Sequence, residues 1–138
     1  MINSKEFKVG ASMASVLSNP GSDRARVLTQ AVGETARRLA LGSTDLQHII
    51  GISQPSASRL LNGQFTLPEG GKAWELAAAL VRLYRSLISL VGGNDELARA
   101  WLRSANTAFD EQKPVVLIRR IDGLLHACEY LDAQRARV

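Results

Sequence analysis

Apolar residues recur at helical spacing through most of the chain, and no segment of any length alternates apolar and polar positions as a strand does. The pattern therefore predicts an all-α fold. The first helix is predicted to be capped by Ser22-Asp23, to run to about Leu41 and to be stopped by Gly42. Its inward positions are predicted to be Val27, Leu28, Ala31, Val32, Ala36 and Leu39. Residues 1–21, rich in Ser, Gly and Asn, are predicted to form a flexible N-terminal arm or a short first helix.

Two short helices joined by a tight turn are predicted over Ser43–Gly63. The inner face of the first helix is formed by Leu46, Ile49 and Ile50. Gly51 breaks that helix, because glycine takes a positive φ without steric cost. Ser53 is a good N-cap for the second helix, Pro55 is tolerated in its first turn, and Asn62-Gly63 ends it. This layout matches the DNA-binding helix-turn-helix.

The second helix of the pair turns a small polar face outward, while Ala57, Leu60 and Leu61 fall on its inner side. The residues predicted to meet DNA are Gln54, Ser56, Ser58, Arg59 and Asn62. Arg suits guanine, Gln suits adenine, and Ser reaches either a base or a phosphate. The alternative is a solvated surface helix, with Arg59 paired to a nearby carboxylate. Gln47 stands where such motifs usually have Ala, so either the two helices lie further apart or Gln47 points outward.

A long helix with two adjacent apolar stripes is predicted over Lys72–Val91, and Gly92-Gly93 ends it. One stripe consists of Leu76, Leu80, Leu83, Leu87 and Leu90, and the other of Trp74, Ala77, Val81, Tyr84, Ile88 and Val91. A helix that is apolar around so much of its girth is buried on more than one side. It either joins two lobes or carries a dimer seam.

The last third of the chain predicts three further helices. A short amphipathic helix follows Asn94, and a polar loop over 104–113 holds Asn106 and Phe109. Pro114 opens a helix over 115–120, and Asp122 can cap the last helix. The inner stripe of that last helix is predicted to be Leu124, Leu125, Cys128 and Leu131. The chain ends on a basic tip that carries Arg135 and Arg137.

Composition fits a small binding protein. The chain has 138 residues, a formal charge of +4 and one cysteine, and its pI is about 9.7. A basic chain is compatible with nucleic acid as partner, and a single cysteine fits a reducing cytoplasm. No apolar run approaches the ~20 residues of a membrane span, so no membrane partner is expected. His126 and Cys128 diverge on one helix, and no catalytic or phosphate-binding motif is present, so neither an enzyme nor a cofactor is predicted.

From about Thr44 to Leu131 the chain resembles the antitoxins of the Xre/MbcA/ParS type. The matching pieces, in order, are GISQPSASRLLNG, Trp74-Glu75-Leu76-Ala77, Leu83-Tyr84-Arg85-Ser86-Leu87, Gly92-Gly93, Ala98-Arg99-Ala100-Trp101-Leu102, Asn106-Thr107-Ala108, Pro114, Leu117, Gly123 and Tyr130-Leu131-Asp132. Their order and spacing together are specific. The family usually has Leu-Gly-Gly after its Asn-x-Ala, whereas this chain has Phe109-Asp110-Glu111, so the loop there is expected to differ in shape.

The resemblance implies a bacterial cytoplasmic toxin–antitoxin module. It implies an Xre-like DNA-binding lobe (22–71), followed by a central helix and a toxin-binding lobe (72–138). The partners implied are operator DNA, which the pair binds to repress its own promoter, and a cognate RES-domain toxin that degrades NAD and whose active-site cleft the antitoxin covers. The residues expected to contact the toxin are Asn106, Phe109, Arg135, Arg137 and Val138.

A homodimer is also predicted, because one helix-turn-helix makes few base contacts and related readers use two half-sites. We expect its seam in the Trp74–Val91 helix or in the first lobe. The rival interpretation is a stand-alone transcriptional regulator whose C-terminal lobe serves dimerisation or ligand sensing. A RES-type reading frame beside the gene would discriminate between the two.

Overall fold

The computed structural model describes residues 20–137 of the chain. Over this range the elements are α1 (Pro20–Arg38), α2 (Ser43–Ile50), α3 (Gln54–Leu61), α4 (Lys72–Leu90), α5 (Asp95–Arg103), the 3₁₀-helix η1 (Thr107–Phe109), α6 (Pro114–Leu117) and α7 (Ile121–Arg137). The all-α prediction is confirmed. The predicted arm lies outside the described residues up to position 19, and α1 already begins at Pro20.

Helix α1 ends three residues earlier than its pattern predicts. Ala40 adopts a left-handed φ of 55°, and the N–H of Leu41 donates to the carbonyl of Ala36 at 2.8 Å. A residue in this conformation closes the last turn, so the helix stops there. Gly42 therefore does not end α1. It is the N-cap of α2, and its N–H donates to the carboxylate of Asp45 at 3.1 Å.

The buried face of α1 is rotated by a fraction of a turn from the predicted one. Val27, expected inside, is 57 % exposed, whereas Thr29 is buried. The Thr29 hydroxyl donates to the carbonyl of Ala25 at 2.7 Å and accepts the N–H of Leu67 at 3.0 Å. Because both hydrogen bonds of this hydroxyl are satisfied, a polar residue occupies the core position and the neighbouring valine stays outside.

Helix α4 runs through the middle of the molecule and packs against α1 and α2 on one side and against α7 on the other. Leu76, Leu80, Leu83 and Leu87 are all buried, and one continuous apolar core extends from α1 to α7. The second stripe is only partly enclosed, with Trp74 and Tyr84 half-buried. The prediction of a helix buried on more than one side is thus confirmed.

Polar contacts also connect the two ends of the molecule. Arg38 pairs with Asp95 at 3.2 Å, and Arg119 pairs with Asp45 at 3.0 Å. Arg103 adds a hydrogen bond of 2.8 Å to the carbonyl of Ala40. These contacts link the end of α1 and the segment after it to α5, and the start of α2 to the segment between α6 and α7.

No single helix among residues 20–137 is long and apolar enough to cross a membrane. The consecutive helices α4 and α5 reach that length and composition only when taken together, and the chain bends by 115° between them.

Candidate nucleic-acid interface and partner surface

The turn between α2 and α3 has the predicted chemistry. Gly51 adopts a φ of 71°, and its N–H donates to the carbonyl of Gln47 at 3.0 Å, which closes α2. Ser53 caps α3, since its hydroxyl accepts the N–H of Ser56 at 3.2 Å. Pro55 lies in the first turn, where its missing N–H costs nothing. The local sequence therefore accounts for the end of α2, the turn and the start of α3.

The five predicted DNA-contacting residues lie on α3 or, for Asn62, at its C-cap. Gln54, Arg59 and Asn62 are exposed, while Ser56 and Ser58 are half-buried. Two of the five are held by neighbours in the chain. Gln54 donates from Nε2 to the hydroxyl of Ser43 at 2.9 Å, which ties the first turn of α3 to that of α2. The Ser56 hydroxyl accepts from Ser53 at 2.9 Å.

Arg59 retains most of its donors. Its Nη2 reaches the Ser56 hydroxyl at 3.4 Å, a long hydrogen bond. Within residues 20–137 no carboxylate lies at ion-pair distance from it, although Arg37 and Arg38 on α1 each pair with Glu34. The surface ion pair of the alternative interpretation is therefore not present in this part of the chain. The guanidinium faces solvent and is available for a ligand.

A polar cavity of about 520 Å³ lies between α1 and the end of α3 with the loop that follows it. Arg26, Gln30, Gly33 and Arg37 of α1 line one wall, and Gly63 and Thr66 line the other. Arg26 and Arg37 were missed as candidates in the sequence. Their spacing on one face of α1, four, three and four residues apart through Gln30 and Gly33, is the signal that identifies them.

Phe109, one of the residues predicted to contact the toxin, has a buried side chain in this structure. Phe109 is only 4 % exposed, and its ring meets Trp101, His126 and Tyr130 with centroid distances of 6.0, 5.3 and 5.2 Å. It anchors the loop to the core because two helices, α5 and α7, supply its aromatic neighbours. Asn106 is half-buried, and its side chain accepts the N–H of Ala108 at 2.9 Å, so it caps η1.

The basic tip is placed at the end of α7. Arg135 and Arg137 are both exposed, and Nη1 of Arg135 donates to the hydroxyl of Ser86 at 3.2 Å. Val138 lies outside the described residues. The buried Ser86 hydroxyl donates to Asp132 at 2.6 Å, and Arg82 pairs with the same carboxylate. The Ser86 hydrogen bond, followed by the Arg82 contact, lowers the pKa of Asp132 below its ordinary value.

Exposed apolar residues of the C-terminal half were also missed. Val116 on α6 is 55 % exposed, and Ile121 and Leu125 on α7 are exposed as well. Leu125 was predicted to face inward, but the buried stripe of α7 is Leu124, Ala127, Cys128 and Leu131. Ile121 and Leu125 lie four residues apart and share one helix face. We refer to Val116, Ile121 and Leu125 as the α6–α7 apolar residues.

The titratable side chains of this half do not form a nucleophilic pair. Cys128 is buried, and its thiol donates to the carbonyl of Ala79 at 3.3 Å. Burial raises the pKa of this thiol to about 11, so it carries little thiolate at neutral pH. His126 stacks edge-on against Phe109. The described part of the chain also contains no cluster of three His, Cys, Asp or Glu side chains that could hold a metal ion.

Comparison with known families gives two matches that lie side by side. Residues 21–82 match the antitoxin Xre-like helix-turn-helix domain. Residues 86–137 match the antitoxin Xre/MbcA/ParS C-terminal toxin-binding domain. The first range holds nearly all of α1, then α2, α3 and the first half of α4, and the second holds the end of α4 and everything from there to Arg137, so that residues 83–85 lie between the two. No curated protein matches the chain.

Proposed function

The chain belongs to the Xre/MbcA/ParS-type antitoxin family, and from this premise we propose that it blocks a cognate RES-type, NAD-degrading toxin and represses its own promoter. The observation that carries the proposal is the adjacency of a helix-turn-helix domain and a toxin-binding domain in one chain. The proposal places the protein in the bacterial cytoplasm, as a homodimer on its operator and without catalytic activity. DNA reading is assigned to 22–71 and toxin binding to 72–138.

The DNA-binding proposal is supported by the geometry of α3. Arg59 is exposed and lacks a carboxylate partner among the described residues, so it can donate to guanine without first breaking an ion pair. Gln54 is held at the start of the helix, where base contacts are usually made. Arg26 and Arg37 line the adjacent cavity and are paired with exposed carboxylates, which suits phosphate contacts of low sequence preference.

The test uses the DNA upstream of the gene, titrated with the purified protein at two salt concentrations. Arg59→Ala is expected to weaken operator binding about 5- to 150-fold, the equivalent of ~1–3 kcal/mol, and to bring operator affinity closer to that for a scrambled sequence. Arg137→Ala removes the same charge from the other half and serves as the matched control. Unchanged operator affinity for Arg59→Ala would remove α3 from the base-reading role.

The toxin-binding proposal is supported by the distribution of exposed apolar surface. Five large apolar residues of the described chain are strongly exposed, and all except Val27 lie within the segment that matches the toxin-binding domain. We infer that the α6–α7 apolar residues supply binding energy. The tip with Arg135, Arg137 and Val138 reaches the mouth of the toxin's cleft, and Asn106 shapes the neighbouring loop. Exposed apolar patches commonly mark protein interfaces.

Two variants separate binding from inhibition. Leu125→Asp is expected to lose toxin binding in a pull-down and to fail to rescue growth. The substitution places a charge where the proposed complex buries an apolar side chain. Deletion of residues 134–138 is expected to keep binding and to lose rescue. Melting temperatures control for misfolding. If the truncated protein still neutralises the toxin fully, the tip has no inhibitory role.

A further inference from the structure

A polar cavity of about 540 Å³ lies between the C-terminal halves of α4 and α7. The two helices run in the same direction, since Cys128 contacts Ala79 and Arg135 contacts Ser86 further along. The residues that line the cavity are Arg82, Arg85, Ser86, Asp132, Arg135 and Ala136. We refer to this feature as the α4–α7 cavity. Three of its residues are arginines and only one is acidic, so it is a strongly basic hollow built within one chain.

Both oxygens of the one carboxylate in the cavity already accept hydrogen bonds. Nε of Arg82 donates to Oδ2 of Asp132 at 2.9 Å, and the Ser86 hydroxyl donates to Oδ1 at 2.6 Å. The same hydroxyl accepts Nη1 of Arg135 at 3.2 Å. Because Ser86 is only 1 % exposed, its hydroxyl is fixed in the wall of the cavity and orients both Asp132 and Arg135. One carboxylate offsets one of the three guanidinium groups, so the lining keeps an excess of two positive charges.

Arg85 is the arginine of the cavity with the most free donors. It is exposed and lies one turn after Arg82 on α4, and no carboxylate of residues 20–137 is within ion-pair distance of it. Acidic side chains of the neighbouring surface do not supply the missing charge, because Asp23 of α1 pairs with Arg26 at 3.0 Å and Glu129 of α7 does not line the cavity. Like charges three residues apart on a helix repel each other, so an anion that enters the cavity relieves this repulsion.

We propose that the α4–α7 cavity binds the phosphate group of a small molecule, either inorganic phosphate or a phosphate monoester. A phosphate dianion matches the two excess charges of the lining, and guanidinium groups bind phosphate oxygens bidentately. The cavity is larger than one phosphate and falls within the ~300–1,000 Å³ of small-molecule sites, so it also has room for the organic part of a monoester. The inference goes beyond the proposed function and is independent of it, because it requires neither operator DNA nor toxin.

Isothermal titration calorimetry of the full chain measures the binding directly. Inorganic phosphate and ribose 5-phosphate are titrated at about pH 8, where a phosphate monoester is a dianion, and at constant ionic strength. Phosphate is expected to bind at one site with a dissociation constant of about 0.1–1 mM, and ribose, which lacks the charge, is expected to release no heat of binding. Equal affinities for the two anions would assign the site to phosphate alone. Tighter binding of ribose 5-phosphate would assign it to a monoester.

Substitutions of exposed arginines test the location of the site. Arg85→Ala is expected to weaken phosphate binding about tenfold, because charge-assisted hydrogen bonds are lost. Arg85→Lys keeps the charge without the planar fork, and its affinity is expected to lie between those of the parent and Arg85→Ala. Arg120→Ala removes the same charge from an exposed position outside the cavity and is the matched control, with the affinity of the parent. Equal melting temperatures would establish that all variants are folded.

The arginine Nε–H signals in ¹H–¹⁵N NMR spectra report which side chains meet the ligand. Those of Arg82, Arg85 and Arg135 are expected to shift during the phosphate titration, while that of Arg120 stays in place. Three outcomes would overturn the proposal. Binding could fail to saturate below about 10 mM phosphate, or Arg85→Ala and Arg120→Ala could lose affinity equally. Arg85→Ala could also keep its phosphate affinity and bind the toxin more weakly, which would assign the cavity to an acidic side chain of the toxin instead.

Discussion

Replacing Gly123 with alanine is expected to force α6 away from α7. A Cβ built on Gly123 would lie 2.1 Å from the carbonyl oxygen of Leu117 and 2.9 Å from its carbonyl carbon. A carbon–oxygen contact is comfortable at about 3.3 Å, so the backbone at Leu117 has to move by roughly 1 Å. The obstacle is main chain and cannot rotate aside. Overpacking of this kind costs about 1–3 kcal/mol.

Gly33 provides the matched control, since it is also a buried glycine within a helix. A Cβ there would meet the guanidinium of Arg37 at 3.6 Å and Leu60 at 3.9 Å, both ordinary contacts with side-chain atoms. Gly33→Ala is therefore expected to stabilise the protein by about 0.5–1 kcal/mol, because alanine loses less backbone entropy in a helix. The same substitution thus has opposite signs at the two positions.

Urea unfolding of the parent and of both variants, followed by circular dichroism, measures the two effects. With an unchanged dependence on denaturant, the midpoint is expected to fall for Gly123→Ala and to rise for Gly33→Ala. Because Gly123 positions α6, its variant is also expected to bind the toxin more weakly while operator affinity stays within error. Equal stability of Gly123→Ala and the parent would refute the reasoning from close helix approach.

Three further outcomes follow from hydrogen bonds and burial. The pKa of Asp132 is lowered in the folded state from an ordinary value near 3.8, so its contribution is present above that value and is lost as the pH falls through the folded pKa. Asp132→Asn is therefore expected to lower the free energy of unfolding by about 1 kcal/mol at pH 7, and the difference from the parent is expected to disappear below about pH 4. Urea titrations at several pH values measure this, and a difference in stability that does not change with pH would contradict it. Ser53→Ala removes the cap of α3 and is expected to cost about 1 kcal/mol in the same assay, whereas Ser58→Ala, with no cap to lose, stays within about 0.5 kcal/mol of the parent. Burial raises the pKa of the Cys128 thiol to about 11, so a disulfide thiol reagent at pH 8 is expected to react only as the protein unfolds, and rapid labelling in native buffer would disagree.

The parts of the structure that sequence reasoning identified correctly depend on local chemistry. The turn at Gly51, the cap at Ser53 and the buried face of α2 each follow from residues within one or two turns of helix. Whether Arg59 has a carboxylate partner could not be predicted, because a surface ion pair depends on which distant carboxylates the fold brings near. The same holds for Phe109, which is buried by aromatic residues from other parts of the chain.

The errors in assigning buried faces occur where two apolar residues are adjacent. Leu124 and Leu125 differ by only about 100° on the helix, and the choice between them depends on where α4 lies. Val27 was misplaced for a similar reason, since Thr29 takes the core position by satisfying its hydroxyl within the fold. The end of α1 was missed because Ala40 adopts a left-handed conformation that its residue type does not favour.

The continuous core around α4 limits how this chain can exchange parts with its relatives. The two family matches meet between residues 82 and 86, inside α4 and next to the fully buried Leu83. A recombination event there would join two half-helices whose leucines must keep one register against both α1 and α7. Exchanging one half of the protein for that of a relative therefore disturbs the packing of α4 against both α1 and α7. Residues such as Val116 and Leu125 are exposed, so they can change without disturbing the core, and a shift to a different toxin is expected to proceed by surface substitution within an intact scaffold.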